Sequence, residues 1–157
     1  MAMGEALKKR LKQSKFESPV QEALLSLLVA ASHVRERLER ISAEHGITQT
    51  QYNVLRILKG AHPQGYPRCD IAVRMIEKSP DVTRLIDRLE DQGLVERDRS
   101  ESDRRLSITR ITPRGIELLE RMRASFDEVH QYFADRISLR DRRELSRICE
   151  GLYSEDQ

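Results

Sequence analysis

Tryptophan is absent, and four tyrosines and three phenylalanines bring the aromatic content to only 4% of 157 residues. Charged residues make up 34% and hydrophobic residues 38%. With so few rings, that balance describes a helix-rich chain with charged outer faces, long enough to bury a real core as one domain. Cysteine is scarce as well. Cys69 and Cys149 form no CxxC or other metal-ligand spacing, and two thiols do not make a disulfide scaffold, so a reducing cytoplasm is expected. Long apolar runs are missing: no segment approaches membrane-spanning length, and Met1 to Lys15 lacks the apolar core of a signal peptide. An excess of one charge is missing too. The net charge of +2 does not identify a nucleic-acid binder, so any basic surface must be local. Finally, there is no nucleophile–base pair at motif spacing, no phosphate-cradling glycine loop and no metal quartet. An enzyme is therefore not expected, nor is a cofactor.

What is present is helical periodicity interrupted once. Residues 1–17 are polar and basic, with Lys8, Lys9, Arg10, Lys12 and Lys15, and read as a frayed helix or mobile arm. From Pro19, the series Val20, Leu24, Leu27, Leu28, Ala31, Val34, Leu38 and Ile41 marks a long amphipathic helix that Gly46 stops. Thr48 and Gln51 have capping-box spacing and open a second helix through Tyr52, Val54, Leu55, Ile57 and Leu58. Residues 60–67 carry two glycines and two prolines and read as a loop. A short helix over about 68–78 should bury Ile71, Ala72, Met75 and Ile76, and another follows almost at once. Two short helices joined this tightly form a helix-turn-helix.

The second of these helices is the most informative stretch. Ser79 can cap it, Pro80 suits its first position, and Gly93 suits the left-handed residue that ends it. Val82, Leu85, Ile86 and Leu89 recur at i, i+3, i+4 and i+7, so that face is buried and Thr83, Arg84, Asp87 and Arg88 are left outward. Two β-compatible runs follow, 94–97 and 106–111. In the second, Leu106, Ile108 and Ile111 should oppose Ser107, Thr109 and Arg110. The polar turn between them is arginine-rich: Arg97, Arg99, Arg104, Arg105, Arg110 and Arg114 stand against Asp98, Glu101 and Asp103. A buried-backed helix showing hydroxyl and guanidinium groups beside a basic wing suits the reading of a DNA duplex. Thr112–Pro113 then caps a long helix with a seam of Leu119, Met122, Phe126, Val129 and Phe133. Ser138 caps a last helix carrying Leu139, Leu145, Ile148 and Leu152. The apolar stripes at both ends are too wide for so small a body to bury alone, which predicts a homodimer.

Taken in order, Gln51–Leu58, Thr83-Arg-Leu-Ile-Asp-Arg-Leu-Glu90, Gly93-Leu-Val-Glu-Arg97, Asp103-Arg-Arg105 and Ile111-Thr-Pro-Arg-Gly115 resemble the MarR family of bacterial transcriptional regulators. The resemblance covers essentially the whole chain. It implies a mainly α fold with a small β-wing: a single domain over 1–157, with a winged helix-turn-helix at 48–112 and a helical dimerisation part at 18–47 and 113–157. It also implies a cytoplasmic dimeric repressor on a pseudo-palindromic operator, released by a small aromatic effector. Carried over residue by residue, Thr83, Arg84 and Arg88 match the outward face of the family's recognition helix. Ser79 and Pro80 match its phosphate-facing N-terminus. Arg104 and Arg105 match the wing motif placed for an adjacent minor groove. Asp87 and Asp103 match structural braces, with Asp87 tied to Arg105.

Sensing sites are weaker in the sequence. His33, Arg37, Tyr52 and Arg56 are candidates for an effector pocket because they supply polar handles between the long helices and the winged helix. Cys69 opens a helix, but peroxide-sensing relatives place their cysteine in the N-terminal helix, and this chain has none there. Cys149 reads as a packed thiol. Glu44, His45 and His130 lack the paired histidines of zinc-sensing relatives, since Ala134 stands four residues after His130, and no metal is expected. A winged helix that binds protein instead of DNA is the remaining alternative; it should ignore duplex at low salt.

Overall fold

The computed structural model describes residues 4–78, 81–98 and 107–154. The chain divides into two units, residues 1–40 and 41–157. The first holds α1 (Glu5–Leu11) and most of α2 (Pro19–Glu44). In the basic N-terminal segment, residues 5–11 are helical, with Leu7 buried and Lys12 ending the helix in the left-handed region. Ser18 starts α2: its Oγ accepts the Gln21 amide at 3.1 Å, and Pro19 takes the first position, where no amide donor is needed. Val20, Leu24 and Leu28 on this helix are exposed.

The second unit contains the last turn of α2, then α3 (Gln49–Gly60), β1 (Tyr66–Pro67), α4 (Arg68–Arg74), α5 (Val82–Asp91), β2 (Val95–Arg97), β3 (Ile108–Ile111), α6 (Pro113–Arg136) and α7 (Leu139–Tyr153). The capping box at Thr48 is formed in both directions, Gln51 N to Thr48 Oγ1 at 3.1 Å and Thr48 N to Gln51 Oε1 at 2.9 Å. Thr112 and Ser138 cap α6 and α7 as their sequence positions predict. The core gathers Val54, Leu55 and Leu58 of α3 with Ile71, Ile86, Leu89, Val95 and Met122. α3 packs on both α6 and β3. Among the described residues, every buried polar side-chain atom has a hydrogen-bond partner.

Four local expectations are corrected. The loop over 60–67 contains a strand: Tyr66 and Pro67 pair antiparallel with Thr109 and Ile108, giving a three-stranded sheet in the order β1-β3-β2. Proline is tolerated there because β1 is an edge strand. β3 keeps Ile111 inward as expected, but the residue that shares its face is Thr109, not Ile108. Thr109 and Ile111 are buried while Ile108 is not, because residues two apart on a strand share a face and the face of Ile111 meets the core. With an apolar residue on each face, alternation does not say which face meets the core. The short helix α4 stops at Arg74, where Met75 turns extended and inward and Ile76 swings out to solvent. The Ile76 amide donates to Asn53 Oδ1 at 3.0 Å, which fixes that exit. Lastly, α5 starts later than expected. Its cap is Asp81, not Ser79, and its first residue is Val82, not Pro80. Asp caps as well as Ser, and its charge suits the positive end of a helix.

Candidate nucleic-acid interface

α5 is fixed at both ends. At its start, Asp81 Oδ1 accepts the Arg84 amide at 3.0 Å. At its end, Gly93 adopts φ 69°, its amide bonds Glu90 O at 2.8 Å, and the Leu94 amide bonds Leu89 O at 2.9 Å. These two bonds make a Schellman stop, which needs a left-handed residue that glycine supplies without strain. Ile86 and Leu89 anchor the helix to the core, and Thr83, Arg84 and Arg88 are exposed. Arg84 Nε also lies 3.1 Å from Asp81 Oδ2, with the guanidinium side chain 79% exposed. A pair so open to water contributes at most about 1 kcal/mol, so an anion that approaches Arg84 displaces little.

The neighbouring helix reaches over. Arg68, first residue of α4, donates from Nη1 to Thr83 Oγ1 at 2.7 Å. Farther along α4, the Arg74 guanidinium sits 4.2 Å above the Tyr66 ring and donates to Asp70 O at 2.8 Å. On the other side, the wing strand is tied to α5 through Arg97. Its Nε donates to Glu90 Oε2 at 2.9 Å, and its Nη2 lies 2.8 Å from Asp87 Oδ1. The hydrogen bond to Glu90, followed by the attraction of both carboxylates, holds the Arg97 guanidinium above its ordinary pKa against the effect of burial. Across the wing, Arg110 pairs with Asp98. The arginine surplus counted in the sequence therefore overstates what the wing offers a phosphate, since Arg97 and Arg110 are engaged internally.

One residue joins these parts. The Thr112 hydroxyl donates to Gly93 O at 2.7 Å and accepts the Gly115 amide at 3.2 Å, while the Thr112 amide bonds Leu94 O at 3.1 Å. The end of α5, the start of β2 and the first turn of α6 meet there.

The sequence-predicted site residues separate into three groups. Thr83, Arg84 and Arg88 share the outer face of α5, and Asp87 lies beside them, held by Arg97. Ser79, Pro80, Asp103, Arg104 and Arg105 lie outside the described residues, and so does the pairing of Asp87 with Arg105. Of the effector candidates, His33 and Arg37 belong to the first unit and Tyr52 and Arg56 to the second. Tyr52 stacks flat on Phe126, with ring centroids 3.9 Å apart and planes 5° from parallel. Burial raises its hydroxyl pKa, against the charge of Arg56 and a hydrogen bond with it. Tyr52 is thus part of the α3–α6 packing. Among the described residues, no three His, Cys, Asp or Glu side chains are grouped to hold a metal ion, and no helix is long and apolar enough to cross a membrane. Cys69 is exposed and Cys149 half-buried.

The roles of Asp81, Arg68 and Asn53, and the tie from Arg97 to α5, are not among the sequence expectations. Asp81 was legible, three residues before the amide it caps. The others act across 7 to 23 residues, beyond any local pattern.

Residues 47–107, which include α3, α4, α5 and β2, match the MarR family model. The crystal structure of a MarR transcription factor from Planctomyces limnophilus is 34% identical, covering 87% of this chain and 98% of that one, with a TM-score of 0.68. The chain belongs to the MarR family. It is a transcriptional regulator of the MarR type with a winged helix, and not an enzyme. The transcriptional repressor MprA of Escherichia coli is 27% identical over 139 residues, 87% of this chain and 78% of that protein. The S. aureus MepR–DNA complex shares the fold, with a TM-score of 0.72 at 24% identity, covering 83% of this chain and 96% of that one.

Proposed function

We propose that this regulator is a dimeric repressor that grips a pseudo-palindromic DNA site with two copies of α5 and releases it when a small aromatic effector binds. The observation that carries the reading is the outer face of α5, where a hydroxyl and two guanidinium groups stand over a helix anchored by Ile86 and Leu89. In a major groove such groups meet base acceptors and flanking phosphates. From the resemblance to the family's wing motif, Arg104 and Arg105 are assigned to contact with the adjacent minor groove. That the related MprA is a repressor and MepR is a DNA-complexed protein of the same fold supports the direction of control and the partner. A role on DNA places the protein in the cytoplasm.

Residues 48–112 read DNA in this scheme, and 18–47 with 113–157 pair two copies. Supporting the second part, Leu139, Leu145, Ile148 and Leu152 all lie exposed on α7. Covering each contributes roughly 1.5–3 kcal/mol when burial is complete. Sedimentation at micromolar concentration is expected to give a dimer, and Ile148→Glu with Leu152→Glu a monomer. A wild-type monomer removes the two-headed reading.

The test of function is a fluorescence-anisotropy titration against duplex from upstream of the protein's own gene, at two salt concentrations. Binding is expected to prefer that sequence and to weaken steeply with salt, with a log–log slope of about −0.9 per phosphate contacted. Equal, weak binding to any duplex counts against it.

A further inference from the structure

The hydrogen bond between Arg68 and Thr83 spans the two helices of the helix-turn-helix, and its chemistry is directional. A guanidinium carries five N–H donors and no acceptor. At 2.7 Å from Arg68 Nη1, the Thr83 oxygen is therefore the acceptor, and its own proton is left to donate elsewhere. Both residues are exposed. An exposed bond of this kind adds little to folding after the entropy of holding a long arginine is subtracted. Its effect is to choose between the two rotamers open to a helical threonine and to turn its hydroxyl into an outward donor.

Resting on the DNA-binding reading above, we infer that Arg68 is a positioning residue for base recognition: it presents Thr83 as a hydrogen-bond donor to a base acceptor. Guanine N7 and O6, adenine N7 and thymine O4 offer acceptors in the major groove, whereas the cytosine amino group offers a donor. With one of its two lone pairs taken by Arg68, Thr83 favours an acceptor over the cytosine amino group at the edge it faces. That preference depends on a side chain in the other helix.

The test selects duplexes from a random pool with the wild-type protein, R68A, R68K, T83V and the R68A/T83V double variant, then titrates each protein against the selected sequence and its single-position changes. T83V is expected to lose discrimination at one position per half-site by roughly three- to tenfold. R68A should lose it at that same position, the double variant should lose no more than either alone, and R68K, which can still donate to the hydroxyl, should retain part of it. Thermal melts of all variants should match the wild type.

If R68A instead weakens every sequence equally and lowers the salt slope by about one, Arg68 is a phosphate contact and the inference is overturned. Additive losses in the double variant overturn it as well. If the wild-type protein enriches no sequence, the DNA-binding reading itself falls, and the inference with it.

Discussion

Gly115→Ala should lower the thermal midpoint by several degrees, while Gly60→Ala, the same change 55 positions earlier, should raise it. Both glycines lie in helices, where alanine is favoured by about 1 kcal/mol. Gly115, in the first turn of α6, is packed against its surroundings: a Cβ there would stand 2.3 Å from Leu94 O and 2.7 Å from Ile111 Cγ1. The first is backbone, and it also accepts the Thr112 amide, so relief by movement breaks that bond. Overpacking of this kind costs about 1–3 kcal/mol or more, to which a lost hydrogen bond adds about 1. The clash outweighs the propensity gain, for a net loss near 2 kcal/mol and a fall of roughly 4–8 °C. Gly60 closes α3 with no atom within 4 Å of its would-be Cβ, so the gain of about 0.4–1 kcal/mol stands alone. Scans at one protein concentration check both, since association shifts the midpoint. A stable Gly115→Ala would mean that the α6 start is not seated on the sheet as described.

Arg84→Ala should weaken binding to the selected duplex by roughly 10- to 100-fold for each α5 that engages it, following the ~1–3 kcal/mol typical of an arginine on a base edge. A dimer loses the contact twice. Asp81→Asn should act in the opposite sense. Asparagine still caps the helix, but the carboxylate that pairs with Arg84 and faces approaching phosphate is gone. Affinity for unrelated DNA should rise more than affinity for the selected site, so specificity falls. Anisotropy titrations on both duplexes distinguish the variants. Unchanged binding by Arg84→Ala would take the outer face of α5 out of the interface.

The parts of this fold legible in the sequence are those whose cause is local. The Thr48–Gln51 box, the glycine stop at Gly93 and the Thr112–Pro113 start each rest on residues a few positions apart. The buried face of α5 followed from the spacing of Val82, Ile86 and Leu89. What sequence reading missed depends on tertiary partners. Tyr66–Pro67 is a strand only because Ile108 and Thr109 lie beside it, and Thr109 faces inward because it shares the face of Ile111 that meets the core. Ser79 and Asp81 were both competent caps, and only the position of the first helical turn decides between them. At the site, the arginine count in the wing was readable, but the engagement of Arg97 by Asp87 and Glu90 was not.

The Thr112 junction has a mechanical consequence. Gly93, Leu94 and Gly115 are all bonded through this one residue, so no slack separates the end of the reading helix from the beginning of α6. A bracket with its corner pinned in this way transmits rotation instead of absorbing it. The end of α5 and the start of α6 are thereby tied into one piece.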